Sequence, residues 1–124
     1  MTQSQGSIQR GGHALREVTA LRELPPGVQT ALGVGALGLD GIADRGEKYN
    51  PTDVVDSSLP MRRFVVAGLD GDSALVAIEH GGLGREVEVA LFSNASQNAT
   101  AGRKWTLIEA PKALRDLVGS LPAP

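Results

Sequence analysis

The chain of 124 residues contains no cysteine, and aromatic residues make up only 3% of it. Without a thiol the chain cannot form a disulfide scaffold, a thiolate metal site or a cysteine nucleophile. Its single tryptophan and single tyrosine are too few to build the stacking platform of proteins that bind single-stranded nucleic acid. These two absences exclude disulfide-stabilised proteins, thiolate metal proteins, enzymes with a cysteine nucleophile and proteins that bind nucleic-acid bases by stacking.

Clustered positive charge is also missing, because 12 Lys and Arg residues are balanced by 14 Asp and Glu residues. Nucleic acids and anionic membranes both favour clustered cations, so we predict neither as a partner. The most apolar stretch, residues 28–39, is too short and too rich in glycine to cross a bilayer. No basic and apolar leader is visible, and arginine outnumbers lysine, so we expect a bacterial protein in the cytoplasm.

Metal and cofactor motifs are incomplete. The only two histidines, His13 and His80, fall in different predicted elements, and the calcium-loop resemblance of residues 70–72 lacks its later acidic ligands. Residues 33–38 match the dinucleotide pattern G-x-G-x-x-G, but they close a predicted helix instead of following a strand. We interpret this segment as a helix stop, and we predict no metal and no cofactor.

Strand patterns dominate the middle of the chain. Residues 61–69, 73–80 and 85–92 are rich in strand-forming residues and are separated by the turn signals of residues 69–72 and 81–84, which predicts a meander. A fourth strand is predicted at residues 104–109. Apolar residues at helical spacing predict helices over residues 14–24, 26–35 and 111–118, and a cap signature predicts a short helix at residues 51–57.

These elements predict an α+β domain over residues 13–119. Its antiparallel sheet has about four strands, and the N-terminal helices and the C-terminal helix pack mainly on one face. Residues 1–12 are predicted to be a flexible tail, and residues 120–124 a second tail.

The second face of the predicted sheet is too apolar for a face exposed to water. Alternation places Val87 and Val89 on the helix-covered face, where we expect Phe64 and Val76 to join them. The opposite face can be covered by this chain, by a ligand or by a second copy, and two-fold dimers are the commonest oligomers. The residues assigned to a dimer interface are Val65, Leu75 and Phe92.

The leading functional hypothesis is a non-catalytic binding module that associates with itself or with a protein partner. The long polar segment 40–60 and the basic start of the first meander strand would form its recognition surface, because long loops on rigid sheets often carry function. The residues assigned to this surface are Arg45, Lys48, Tyr49, Arg62 and Arg63.

Two alternatives stay open. In the first, the protein is a small enzyme or a small-molecule binder with a pocket on the concave face of the sheet. His80, at the end of a strand and beside glycines, would act there with a loop carboxylate such as Asp53. In the second, the same loop blocks a specific partner, as in an inhibitor or immunity-type protein.

Overall fold

A computed structural model describes residues 7–52, 58–81 and 86–123 of the chain. Six strands form one antiparallel sheet in which the spatial order follows the chain order. The strands are β1 (Ser7–Arg10), β2 (His13–Val18), β3 (Arg62–Asp70), β4 (Ser73–His80), β5 (Glu86–Ser93) and β6 (Thr100–Leu107), and the helices are α1 (Pro26–Leu32) and α2 (Leu114–Ser120). The predicted α+β class and antiparallel sheet are therefore confirmed, but the sheet has two more strands than predicted.

The two additional strands come from the N-terminal segment. Gly11 and Gly12 connect β1 to β2 with φ angles of 58° and 84°. Positive φ at both central positions is what a two-residue type I′ hairpin turn requires, and glycine adopts it without strain. The predicted flexible tail is thus wrong for residues 7–10, because they form a strand whose turn signal was the glycine pair.

The predicted helix over residues 14–24 is also wrong. Its first part is β2, which pairs with β3 through partners such as Val18 and Ala67, and a single 3-10 turn, Leu21–Glu23, follows. Leu15 and Val18, three residues apart, point to opposite faces of the strand, and both faces are buried. The same spacing fits an α-helix, so pairing with the apolar strand β3 overrides the helical pattern.

The two helices cover opposite faces of the sheet, which corrects the prediction of one main face. On one face α1 buries Val28 and Leu32 in a core with Phe64, and on the other α2 buries Leu114 and Leu117. The central strands β3 and β4 are buried along most of their length on both sides. A sheet with two apolar faces needs a cover on each. We call these faces the α1 face and the α2 face.

Strand register explains why the prediction assigned residues from both faces of the sheet to a single face. Val76 is paired with Ala90 and Ala77 with Val89, and cross-strand partners share a face. Phe64 and Val76 therefore lie on the α1 face, whereas Val87 and Val89 lie on the α2 face. Alternation within one strand cannot reveal how that strand is aligned with its neighbours.

The residues assigned to a dimer interface are buried inside the chain. Leu75 is 1% exposed, Phe92 5% and Val65 6%. A bulge after Phe64 places Val65 with Leu75 on the α2 face, while Phe92 belongs to the core under α1. This assignment was wrong because intrachain packing covers both faces.

Element boundaries agree best in the meander, where β3, β4 and β5 begin within one residue of the prediction. Helix α1 ends at Gly33, with φ of 82°, and the N–H of Val34 donates to the Gln29 carbonyl, so the helix stop is confirmed. Strand β6 and helix α2 are displaced from their predicted ranges, and the predicted C-terminal tail is wrong at Leu121, which is buried.

Two predicted elements fall mainly on residues outside the described ranges. These are the short helix at residues 51–57 and the turn at residues 81–84. Within the ranges that are described, no helix has the length and apolarity to cross a bilayer.

Candidate binding cleft

The sheet curls strongly around its α2 face. The guanidinium carbon of Arg10, in the first strand, lies 5.4 Å from the ring centroid of Trp105, in the last strand. In a flat six-stranded sheet the two edges would be about 24 Å apart, since neighbouring strands are roughly 4.8 Å apart. The described parts of β1 and β6 share no ladder, so the sheet is open and its two edges approach each other over the α2 face.

This curl creates a cleft of about 280 Å³ beside the turns that join β1 to β2 and β3 to β4. All six strands contribute side chains to it. One of them, Leu91, is a large apolar side chain on the strand beside the sheet edge, and it is 40% exposed. The apolar part of the lining consists of Leu15, Ala74, Leu75, Leu91 and Trp105.

Helix α2 covers only part of the α2 face. Its seven residues span about 10 Å at 1.5 Å per residue, whereas an eight-residue strand spans about 27 Å. The backbone N–H of Leu114, at the start of α2, donates to Glu17 Oε2 at 2.8 Å. A Cβ atom on Gly68 would lie 2.9 Å from Leu114 Cδ1, so the helix rests directly on β3. Helix α2 is therefore held at the middle of the sheet, and the cleft beyond it stays open.

Two arginines converge on the tryptophan in the wall of this cleft. The guanidinium carbon of Arg103 lies 5.1 Å from the Trp105 ring centroid, in addition to that of Arg10. Arg10 also donates from Nη1 to the Pro122 carbonyl at 3.0 Å, but neither guanidinium is within ion-pair distance of a carboxylate in the described residues. The indole Nε1 is buried and finds no hydrogen-bond acceptor in the same set. The cleft thus has donors and positive charge without a matching anion.

The one carboxylate that lines the cleft, Asp70, is already engaged. Its Oδ2 lies 2.6 Å from Nδ1 of His13, and the two side chains are exposed at the rim. Asp70 contributes one negative charge against the two positive charges of Arg10 and Arg103, so positive charge is in excess in the cleft.

The predicted recognition surface has a different role in the structure. Arg62 donates from Nη2 to the carbonyls of Leu32 and Gly41, at 2.7 and 3.1 Å, and so holds the end of α1. Arg45 donates to the Lys112 carbonyl at 2.7 Å. Both guanidiniums are occupied by backbone oxygens of this chain, which reduces what they can offer to a partner.

Arg63 and Tyr49 are likewise packed together. Arg63 Nε lies 2.9 Å from Glu79 Oε1, and its guanidinium carbon is 4.3 Å from the ring centroid of Tyr49, which is buried. Of the five residues assigned to this surface, Lys48 alone is exposed without a described contact to the rest of the chain. The structure brings Arg63 and Tyr49 together, as part of the fold.

His80 lies near a carboxylate, but not one from the loop. Its Nε2 is 3.6 Å from Glu88 Oε1 on the adjacent strand, which is too long for a hydrogen bond, and this buried nitrogen has no other acceptor or donor among described residues. The Lys104 amine is 3.9 Å from the other oxygen of Glu88. A second cavity, of about 350 Å³ on the α1 face, opens beside these three side chains.

Other predicted site residues are not assembled into a centre. His80 and Tyr49 line a common hollow of about 260 Å³, whereas Asp53 lies outside the described residues. No group of three potential metal ligands occurs in the described part of the chain. Comparison with protein-family models, curated proteins and solved structures gives no match, so the functional argument rests on this geometry alone.

The cleft was missed because its residues are distant in sequence. Arg10 was assigned to a tail, and Arg103 stood just before the fourth predicted strand at residues 104–109, so neither had a predicted neighbour. The concave-pocket alternative centred on His80, which does not line this cleft, and it stays a prediction. The glycine pair at residues 11–12 was the available signal, because a hairpin there places Arg10 and His13 on the sheet.

Proposed function

We propose that this protein is a non-catalytic binding module that holds a small, largely apolar molecule in the cleft on the α2 face. The observation that supports this is the apolar part of the cleft lining, which comes from four strands and includes Leu91, 40% exposed. A concave, mostly apolar pocket with a few polar groups is the usual form of a small-molecule site. Its volume of about 280 Å³ suits a small ligand.

The cleft is favoured over loop 40–60 as the binding surface because of what each offers. Arg45, Arg62 and Arg63 are occupied by contacts within the chain. In contrast, Leu91 is exposed and faces an empty volume. Recognition of a protein partner by the loop, including an inhibitor or immunity-type role, and self-association both remain predictions, and a dimer would need apolar residues other than the three that are buried.

The test is an NMR screen of small apolar compounds at millimolar concentration. The single indole N–H resonance, from Trp105, reports directly on the cleft. We expect shifts at this resonance and at Leu91, and we expect Leu91→Phe to abolish them by filling the cleft. Leu37→Phe is the matched control, because Leu37 is 89% exposed and does not line the cleft. Compounds that shift neither resonance, or that bind the Leu91→Phe variant equally well, would refute the proposal.

A small enzyme is the second candidate, and the buried Nε2 of His80 favours it, because this atom lies beside Glu88 and has no hydrogen-bond partner among the described residues. A histidine next to a carboxylate can act as a general base, and such contacts often tighten only when substrate is bound. We expect any turnover of chromogenic esters or phosphodiesters to fall to background in both His80→Gln and Glu88→Gln, while His13→Gln retains it. Absence of turnover in the wild type, or its retention in His80→Gln, would reject this candidate.

A further inference from the structure

We infer that the ligand of the α2-face cleft is an organic anion, with a carboxylate attached to a compact apolar body. This inference rests on the proposed function of the cleft, and it adds the charge and shape of the molecule that the cleft selects. It derives from the positions of Arg10, Arg103 and Trp105.

Two guanidinium groups lie close to the ring of Trp105. Arg10 and Arg103 come from opposite edges of the sheet, and their guanidinium carbons are 5.4 and 5.1 Å from the same ring centroid. Attraction to the ring quadrupole stabilises each cation. The two cations nevertheless repel each other, and no carboxylate of the described residues lies within ion-pair distance of either. An anion bound between them would relieve this repulsion.

Arginine also determines which anion fits. Its planar guanidinium donates two parallel hydrogen bonds to a carboxylate, and it is more weakly hydrated than an ammonium group. Arg103 makes no hydrogen bond to any other described residue, so its donors are available to a ligand. Asp70 does not serve as the anion, because it lies 2.6 Å from His13.

The apolar floor determines the rest of the molecule. Leu75 and Leu91 lie beside Trp105 in the same cleft, and Leu91 would lose its exposed area on binding. Burial of apolar surface contributes about 25 cal/mol per Å². A small inorganic anion or acetate would leave this surface in water, so the arginines and the leucines together select a carboxylate with an apolar body.

The experiment is a titration followed by tryptophan fluorescence, since Trp105 is the only tryptophan. The probes are cyclohexanecarboxylate, its neutral analogue cyclohexylmethanol, and acetate, which has the charge without the apolar body. We expect cyclohexanecarboxylate to bind at least tenfold more tightly than either of the other two. Added sodium chloride should weaken its binding, because the contact is ionic.

Arginine variants identify the source of the preference. Arg103→Gln should weaken cyclohexanecarboxylate about tenfold, as expected for a lost hydrogen bond to a charged group, and should leave cyclohexylmethanol within about twofold. Arg10→Gln should act similarly, but it also loses the contact to Pro122, so Arg103→Gln is the decisive variant. Arg22→Gln is the control, because Arg22 is exposed and belongs to a turn packed on the α1 face.

Each outcome has a distinct meaning. Equal binding of cyclohexanecarboxylate and cyclohexylmethanol would overturn the anion inference and leave the binding cleft intact. Equal binding of acetate and cyclohexanecarboxylate would overturn the requirement for an apolar body. Failure of all three probes to change the fluorescence would overturn the anion inference, and the wider screen of apolar compounds would then decide the proposed function separately.

Discussion

The two faces of the sheet carry cavities of similar size whose cationic side chains differ in their protein partners. On the α1 face, about 350 Å³ of space lies beside Glu88, whose oxygens are 3.6 Å from His80 and 3.9 Å from Lys104, and Arg62 is occupied by backbone carbonyls. On the α2 face, about 280 Å³ lies beside two arginines with no carboxylate partner in the described residues. With neutral histidines the two linings have the same formal charge, because Asp70 offsets one arginine on the α2 face. The cavities differ in that Arg62 and Lys104 have protein partners, whereas Arg103 has no hydrogen-bond or ion-pair partner among the described residues.

The two faces also differ in how many segments of the chain cover them. The α1 face is covered by α1, by the turn Leu21–Glu23 and by Ala95 of the loop before β6, except where the cavity beside Glu88 opens. The α2 face is covered by one short helix, and Leu91 and Trp105 remain partly exposed beyond its end. Both covers stabilise the fold, and the gap beyond α2 leaves room for a ligand.

The largest expected effect tests whether α2 is a true core element. Leu117 is 0% exposed, so Leu117→Ala should lower the free energy of unfolding by about 2–5 kcal/mol. Leu91→Ala, on the same face but in the open cleft, should cost less than about 1 kcal/mol. Urea unfolding followed by circular dichroism measures both. Similar losses for the two variants would mean that the cleft is filled as tightly as the core.

The next effect compares one closely packed glycine from each face of the sheet. A Cβ on Gly27 would lie 2.5 Å from the Ala95 carbonyl oxygen, whereas one on Gly68 would first meet a flexible leucine side chain at 2.9 Å. We expect Gly27→Ala to cost about 3 kcal/mol and Gly68→Ala about 1 kcal/mol, in the range of other overpacked sites.

Gly119→Ala is the matched control for these glycine variants. Gly119 lies in α2 with no atom within 4 Å of an added Cβ. Alanine there should stabilise the protein by about 0.5–1 kcal/mol, because glycine is a poor helix former. Thermal unfolding in which Gly68→Ala loses more than Gly27→Ala would contradict the tighter packing of the α1 face.

A smaller effect concerns the contact that holds α2 in place. Glu17 Oε2 accepts the backbone N–H of Leu114, so Glu17→Ala should cost about 1 kcal/mol through loss of a cap and of negative charge at the helix start. Glu17→Gln keeps an acceptor and should lose less. Glu23→Ala is the control, because Glu23 is exposed and makes no described contact to α2. An unchanged unfolding midpoint in Glu17→Ala would show that packing alone positions the helix.

The smallest effect is expected at Lys104, which lies beside the cavity on the α1 face. Lys104 is 54% exposed and its amine is 3.9 Å from Glu88, so Lys104→Gln should change the free energy of unfolding by less than about 0.5 kcal/mol. It should also leave the affinity for cyclohexanecarboxylate within about twofold, because this lysine lies outside the cleft on the α2 face. A tenfold loss of affinity would indicate that the anion binds in the cavity on the α1 face and not in the cleft.

Local patterns predicted the meander, a helix stop within residues 33–38 and the α+β class, because turn residues and short-range periodicity determine them. They failed where long-range pairing decides. Residues 13–18 have a helical spacing that suits a strand buried on both faces, and the face of each strand depends on its register with the next. Local patterns could not predict the cleft for the same reason, because Arg10 and Arg103 come close together only when the sheet curls.

The most direct test of the account is an intermolecular NOE measurement on the protein saturated with cyclohexanecarboxylate. The account predicts contacts from the cyclohexane protons to the Leu91 methyl groups and to the Trp105 ring. Contacts to Lys104 and Ala99 in the α1-face cavity instead, or to no residue of the chain, would contradict it.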